Sequence, residues 1–397
     1  MKRITECEVC GNAELLPALD LGDQPMCDDL VPIGSDLVPA RYPLQIVGCA
    51  RCLTFHQAVQ VEKRLLFPQT YHYRSALTAD VLRGMRELVA DVESHVGSLQ
   101  GKTVLDIGCN DGSLLAMFGE RGARTCGVEP TGAIDDARGK VDWLYHGYFD
   151  QAAADAYLAE HAQPDIVTFT NVFAHIEDLR GLLSALRSLL GARTRVVVEN
   201  HYLGAVAKYK QFDTFYHEHP RTYSARSFVH IAESLGRGIE RIGFPSRYNG
   251  NIRVIIGAGE QAAWPALDEA ADFQAIFELQ AAIVEGRQRL QDTLRPLVAR
   301  HGPLPAKAFP GRASINVHCL GLNESLIDAT YERSQSPKVG YYVPGTRIEI
   351  RDEQEFFDQR MASPVLVNLA WHIHEEIVGY MRSRGYRGDI IKGWIEP

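Results

Sequence analysis

The densest chemistry in this 397-residue sequence is the run Phe212-Asp213-Thr214-Phe215-Tyr216-His217-Glu218-His219-Pro220-Arg221-Thr222-Tyr223-Ser224. Packing alone is a poor reason to place a phenol, two imidazoles and a carboxylate in the four positions 216–219. Proton transfer is a good one, because these groups are the usual general acids and bases. Pro220 stops any helix after His219, which puts the cluster on a loop or element terminus where side chains converge on a ligand. A further histidine follows the β-branched run at 165–169, in Thr170-Asn171-Val172-Phe173-Ala174-His175-Ile176. The two segments can share one pocket.

A second constellation is built for ligand binding. The strand-like Thr103-Val104-Leu105-Asp106-Ile107 runs into Gly108-Cys109-Asn110-Asp111-Gly112-Ser113, and a helical run follows. Glycine serves where a backbone takes unusual dihedrals or approaches a ligand closely. Glu129 ends the next strand, 21 residues after Gly108, where an acidic side chain meets both hydroxyls of a ribose. A Gly-x-Gly-x-x-Gly site for NAD is disfavoured, because the glycines are spaced differently and Asp111 would crowd a pyrophosphate. The segment Asp106 to Gly112 instead resembles the first motif of the class I methyltransferases. That resemblance implies S-adenosylmethionine as cofactor, held by Asp106, Gly108, Asn110, Asp111, Gly112 and Glu129.

Cys7-Glu8-Val9-Cys10 and Cys49-Ala50-Arg51-Cys52 are two turns that each offer a pair of thiolates. Together they complete a four-sulfur zinc site, which is structural because no coordination position stays open. The gap between the pairs exceeds the roughly 15 to 20 residues of a minimal ribbon. Cys27, Cys109, Cys126 and Cys319 read as packing residues.

The elements that must position these groups fall into three regions. Residues 1–68 lack a periodic apolar face, so a metal substitutes for a core. From about residue 77 short β-branched runs at 103–107, 125–129, 165–170 and 195–199 alternate with helical stretches such as 179–190. That alternation requires a parallel sheet with covered faces, the doubly wound α/β class. A long helical stretch at 266–301 leads to a second, smaller α/β lobe with strands at 326–331, 365–370 and 389–395. The expected domains are 1–68, 69–264 and 265–397. A net charge of −9 argues against sequence-independent nucleic-acid binding. No apolar run approaches the ~18 residues of a membrane helix. Met1 to Glu6 lack the apolar core of a secretory signal, so the expectation is a cytoplasmic protein with reduced cysteines, a monomer or weak homodimer.

Across nearly its whole length the chain resembles the deoxysugar C-methyltransferases. The resemblance rests on the paired cysteines, Tyr71-His72-Tyr73-Arg74-Ser75, the Asn-Asp-Gly loop, Asn171 to His175, Tyr216 to His219 and Lys338-Val339-Gly340-Tyr341-Tyr342-Val343-Pro344-Gly345-Thr346. It implies a nucleotide-linked keto-sugar as substrate and partner, most readily methylated at C3 beside a 4-ketone, with His219 as the base. Tyr216, Glu218 and His175 would orient the base, move protons or donate to the enolate oxygen, and Asn171 would join the cofactor site. Tyr71, Tyr73, Lys338 and Tyr341 would contact substrate, and Arg253 would meet the diphosphate by a bidentate pair. The sequence departs from the family at Ala308-Phe309-Pro310-Gly311-Arg312-Ala313-Ser314, where a Gly-x-Gly-Ala stretch and a lysine are usual. The alternatives are transfer to oxygen or nitrogen of a small metabolite, and a zinc-bearing scaffold protein.

Overall fold

A computed structural model describes residues 1–66, 74–77, 79–259, 261–264 and 266–395, so Tyr71 and Tyr73 lie outside the described residues. The N-terminal region forms β1 (Lys2–Arg3), β2 (Leu16–Pro25), β3 (Val31–Pro32), β4 (Arg41–Cys49), β5 (Thr54–Gln57) and β6 (Val59–Gln60). Strands β2, β4 and β5 pair antiparallel, and β1 pairs with β6. The two cysteine turns sit at the end of this small sheet.

The middle region supplies β7 (Thr103–Ile107), β8 (Arg124–Glu129), β9 (Trp143–His146), β10 (Ile166–Thr170), β11 (Arg195–His201), β12 (Arg221–Thr222), β13 (Gly238–Gly243) and β14 (Asn251–Gly257). Seven of these form one sheet in the order β13-β14-β11-β10-β7-β8-β9. The strands from β11 to β9 are parallel, and β14 runs antiparallel to both β11 and β13. Helices cover both faces, as the doubly wound expectation requires. One of them, Leu179–Leu189, buries Leu179, Leu182, Leu183, Leu186 and Leu189, the spacing of a single helix face. Chain order reverses beside β7, so the crevice at its carboxyl end is where such a sheet takes a ligand.

The C-terminal region builds β15 (Leu304–Lys307), β16 (Ile327–Glu332), β17 (Tyr341–Tyr342), β18 (Glu349–Asp352), β19 (Val365–Asn368) and β20 (Asp389–Lys392). With β3 they form a second seven-stranded sheet, β20-β19-β15-β16-β18-β17-β3. The lobe itself supplies six of these strands, one fewer than the middle sheet has, and β3 of the N-terminal region supplies the seventh. The sequence reading did not mark β15, β17 and β18. The expected helix over 266–301 is two, Glu269–Phe277 and Leu279–His301, meeting at Glu278.

Two crossings stitch the regions together. β12 of the middle region adds to β5, and β3 of the N-terminal region adds to β17. One apolar cluster spans all three, joining Leu44 and Phe55 to Phe212 and Phe215, Ile276 and Leu290, and Ile350, Trp371 and Trp394. Trp394 stacks on Trp371 at 4.2 Å and on Phe212 at 4.6 Å between ring centroids. Among the described residues no helix is long and apolar enough to cross a membrane.

Gly286 lets the long helix approach the C-terminal segment closely, since a Cβ there would stand 1.9 Å from Ile395 Cγ2. Alanine would gain about 1 kcal/mol of helix propensity, but overpacking costs typically ~1 to 3 kcal/mol. Gly286→Ala is therefore expected to lower stability in urea denaturation; a raised midpoint would show that the contact yields freely.

Candidate active site and metal centre

The glycine loop follows β7 as expected. Gly108 (φ 74°) and Gly112 (φ 75°) both take the left-handed conformation, and a Cβ on Gly108 would meet Val172 Cγ2 at 2.6 Å. Glu129 closes the wall: its Oε2 accepts from the Asn110 amide at 3.0 Å, and its Oε1 from the Thr131 amide and hydroxyl at 2.9 and 2.6 Å. Gly108, Asn110, Glu129 and Asn171 line one cavity of about 1810 Å³. Asn171 sits at φ 54°, its Oδ1 accepts from Asn251 at 3.2 Å, and its buried Nδ2 has no hydrogen-bond partner. A cradle that only glycine fits, a carboxylate beyond it and an orphaned amide donor suit the nucleoside and amino-acid parts of S-adenosylmethionine.

Three of the loop residues named from sequence stand elsewhere. Asp106 lies behind the loop, accepting from Thr168 Oγ1 at 2.6 Å, and burial pushes its carboxyl up to about 7. Asp111 is also off the cavity wall. It accepts from the Ser113 and Ala76 amides at 3.1 and 2.8 Å, so it fixes the loop and the 75–76 segment. Gly112 shapes the turn into the following helix without lining the cavity.

The histidines gather at the same cavity. His219 Nδ1 lies 2.9 Å from the Thr214 carbonyl, which only accepts, so Nδ1 carries the proton and Nε2 the lone pair. His219 Nε2 is 3.1 Å from His175 Nε2, and His175 Nδ1 stands 3.9 Å from Glu218 Oε2. The Tyr216 ring packs at 4.2 Å and the His201 ring at 5.2 Å from the His219 ring. Burial, reinforced by His175 and His201, holds His219 well below the ordinary imidazole value. Burial brings His175 down to about 4 and lifts the Tyr216 phenol well above its usual range. His219 is thus a neutral base at the cavity wall, with a second imidazole in hydrogen-bond contact. His217 turns away, its Nε2 3.2 Å from the Tyr42 carbonyl.

Of the substrate residues expected from sequence, Lys338 lines the cavity, with Nζ 3.3 Å from the Phe309 carbonyl and 3.8 Å from Asp28. Tyr341 does not line it; it lies in the short strand β17. Arg253 is a correction: its guanidinium is buried in β14, held by Glu199 at 2.8 Å and Asp91 at 3.1 Å, away from the cavity. Sequence reasoning also missed His201, His372 and Arg312. His201 closes β11 at the same sheet edge as His175, a placement that would have flagged it. Arg312 lines the cavity beside Asp213, whose Oδ2 is 3.1 Å from its Nε and accepts from Trp371 Nε1 at 2.8 Å.

At the N-terminus, Sγ atoms of Cys7, Cys10, Cys49 and Cys52 all lie within 4.8 Å of one another. Cys7 and Cys52 are 3.4 Å apart and Cys10 and Cys49 3.6 Å, far beyond the ~2.05 Å of a disulfide. Tetrahedral ligands about 2.3 Å from a zinc ion would stand about 3.8 Å apart, so the donor set fits that metal. His56 Nε2 at 3.3 Å from Cys7 and Asn12 Nδ2 at 3.6 Å from Cys49 supply outer support.

Family models match three consecutive stretches: a zinc binding domain at 7–67, a methyltransferase domain at 78–238 and a C-methyltransferase C-terminal domain at 262–391. The C-methyltransferase NovU of Streptomyces niveus is 26% identical over 393 residues, covering 95% of this chain and 92% of its own. A ubiquinone biosynthesis O-methyltransferase of Acinetobacter baylyi is 30% identical over 103 residues, 25% of this chain and 43% of that protein. The solved magnesium protoporphyrin IX methyltransferase of Synechocystis superposes with a TM-score of 0.35 at 20% identity, over 45% of this chain and 83% of that one. The strand order, not that superposition, carries the fold.

Histidines held neutral by the desolvation of this cluster make stability depend on pH in a defined direction. His175 binds a proton at about 4 when folded and near 6.5 when unfolded, so between those values the unfolded chain holds more protons. Its contribution is complete above 6.5 and is lost as pH falls towards 4, on the order of 3 kcal/mol in all. His219 and His201 shift in the same direction. Denaturation midpoints are expected to fall through this window, and midpoints that held or rose on acidification would refute neutral burial.

Proposed function

From the premise that this chain is an S-adenosylmethionine-dependent methyltransferase of the C-methyltransferase kind, we propose that it methylates a nucleotide-linked 4-keto-deoxysugar at C3. The observation that carries this reading is the His175–His219 pair on the wall of the cavity that the glycine loop and Glu129 also line. Transfer to oxygen or nitrogen needs at most a base for an already acidic proton. Transfer to carbon needs a C–H beside a ketone to be ionised, and a preset neutral base on the cavity wall serves that step.

Bound S-adenosylmethionine supplies an electrophilic methyl group. His219 Nε2 takes the proton from the carbon beside the ketone, while the Thr214 carbonyl keeps its ring in the productive tautomer. His175 Nε2, 3.1 Å from His219 Nε2, donates to the base in this tautomer, and that contact yields when the substrate C–H takes its place. Tyr216, kept as a neutral phenol by burial, offers an O–H donor beside the base. Lys338 and Arg333 line the cavity with cationic side chains that suit the diphosphate of a nucleotide-linked sugar. The volume of about 1810 Å³ leaves room for both partners, against the ~300 to 1,000 Å³ of a pocket for one small ligand.

Incubation with S-adenosylmethionine and a nucleotide-linked 4-keto-6-deoxysugar is expected to add one methylene to the sugar, with the new C–CH3 bond located at C3 by NMR. His219→Ala should lower turnover by at least about 100-fold, the lower end of what a positioned base contributes, with cofactor affinity changed no more than a few fold. A product methylated on oxygen or nitrogen, or near-normal turnover in the variant, would contradict the reading.

A further inference from the structure

We infer that Gln57 is a positioning residue of the reaction, its side-chain amide holding the turn from which His219 acts. The inference rests on the reading of His219 as the base and adds a residue that does not itself touch substrate.

The turn 216–219 closes on itself through the His219 amide, which donates to the Tyr216 carbonyl at 2.8 Å. Nothing in that single bond fixes its orientation relative to the sheet. Gln57 does: its Nε2 donates to the Tyr216 carbonyl at 2.7 Å and to the His219 carbonyl at 2.9 Å. One primary amide has two N–H donors, and both are spent on the two ends of the turn. The Gln57 backbone amide adds a bond to the Pro220 carbonyl at 2.9 Å, and β12 then continues as the partner of β5, Arg221 opposite His56 and Thr222 opposite Phe55. Gln57 is 1% exposed, so no water competes for these carbonyls.

The strand that carries Gln57 begins beside the metal ligands. Cys52 Sγ is 3.0 Å from Thr54 Oγ1, which in turn bonds Ser227 Oγ at 2.8 Å, and the Cys52 carbonyl accepts from Ser224 and Ser227 at 3.1 and 3.2 Å. Arg221 reaches back to Glu8, between the first two cysteines. The segment bearing the base is thus an added strand of the cysteine module, and Gln57 is the side chain through which that module grips the turn.

Gln57→Met keeps the volume and removes both donors. The expected result is a kcat lower by on the order of 100-fold, the cost of displacing a reacting group by about 1 Å. The KM for the keto-sugar and the affinity for S-adenosylmethionine, measured by calorimetry, should change less than about threefold, within the range of indirect effects. Loosening the turn admits water to the imidazole, so the acid limb of the kcat profile should move to higher pH, a change that loss of packing alone does not produce. Gln57→Asn, which keeps the donors on a shorter stem, should recover part of the rate. A folded methionine variant with near wild-type kcat, or one whose rate falls with the acid limb unmoved, would overturn the assignment. If the methionine variant does not fold, the kcat and pH profile of Gln57→Asn decide by the same criteria. Absence of C-methylation in the unaltered protein would instead overturn the reading of the reaction itself.

Discussion

One hydrogen bond, from His219 Nδ1 to the Thr214 carbonyl, sets the chemistry of the site. A buried imidazole that donates through Nδ1 has its lone pair on Nε2, and that pair is what makes it a base. Turning the ring over would leave a buried carbonyl without its donor, at a cost of about 1 to 3 kcal/mol. Burial supplies the other half of the constraint by keeping the ring uncharged. The rings of His175, His201 and Tyr216 pack around it, and His175 stands in hydrogen-bond contact with its Nε2.

Much of the architecture follows from the need to hold that ring still. The segment that carries it is not on the catalytic sheet. It leaves the doubly wound sheet after β11, packs Phe212 and Phe215 into the cluster shared by all three regions, and joins the cysteine module as β12. A metal site with no open coordination position therefore bears on the chemistry through β5. The C-terminal sheet contributes the opposite wall, and its edge is completed by β3 from the same N-terminal region. Three separately patterned stretches of sequence thus enclose one cavity.

What was legible in the sequence was whatever a short local pattern encodes. The cysteine pairs, the strand-turn-helix around Gly108, the acidic residue ending β8 and the Tyr216 to His219 run all announce themselves within a few residues, and the structure places them as a metal cluster and a cavity wall. What was illegible depends on pairing at long range. β12 is two residues long, and only its partner β5 makes it a strand. The antiparallel β13 and β14 carry too little distinctive pattern to reveal their direction. Arg253 looked like an anion-binding residue because its type suits one, yet its position in β14 points it at Glu199 and Asp91. Asp111 was read as a ligand contact, but its carboxylate is consumed by two backbone amides. His201 escaped notice because nothing beside it in the chain is chemical; it joins the cluster only because β11 and β10 end at the same sheet edge.

The central claim is the protonation state of His219, and nitrogen-15 NMR of histidine-labelled protein tests it directly. The expected spectrum assigns His219 a protonated Nδ1 and a bare Nε2, unchanged as pH is lowered past the ordinary imidazole value of 6.5. The opposite tautomer, or an imidazolium at neutral pH, would contradict the account.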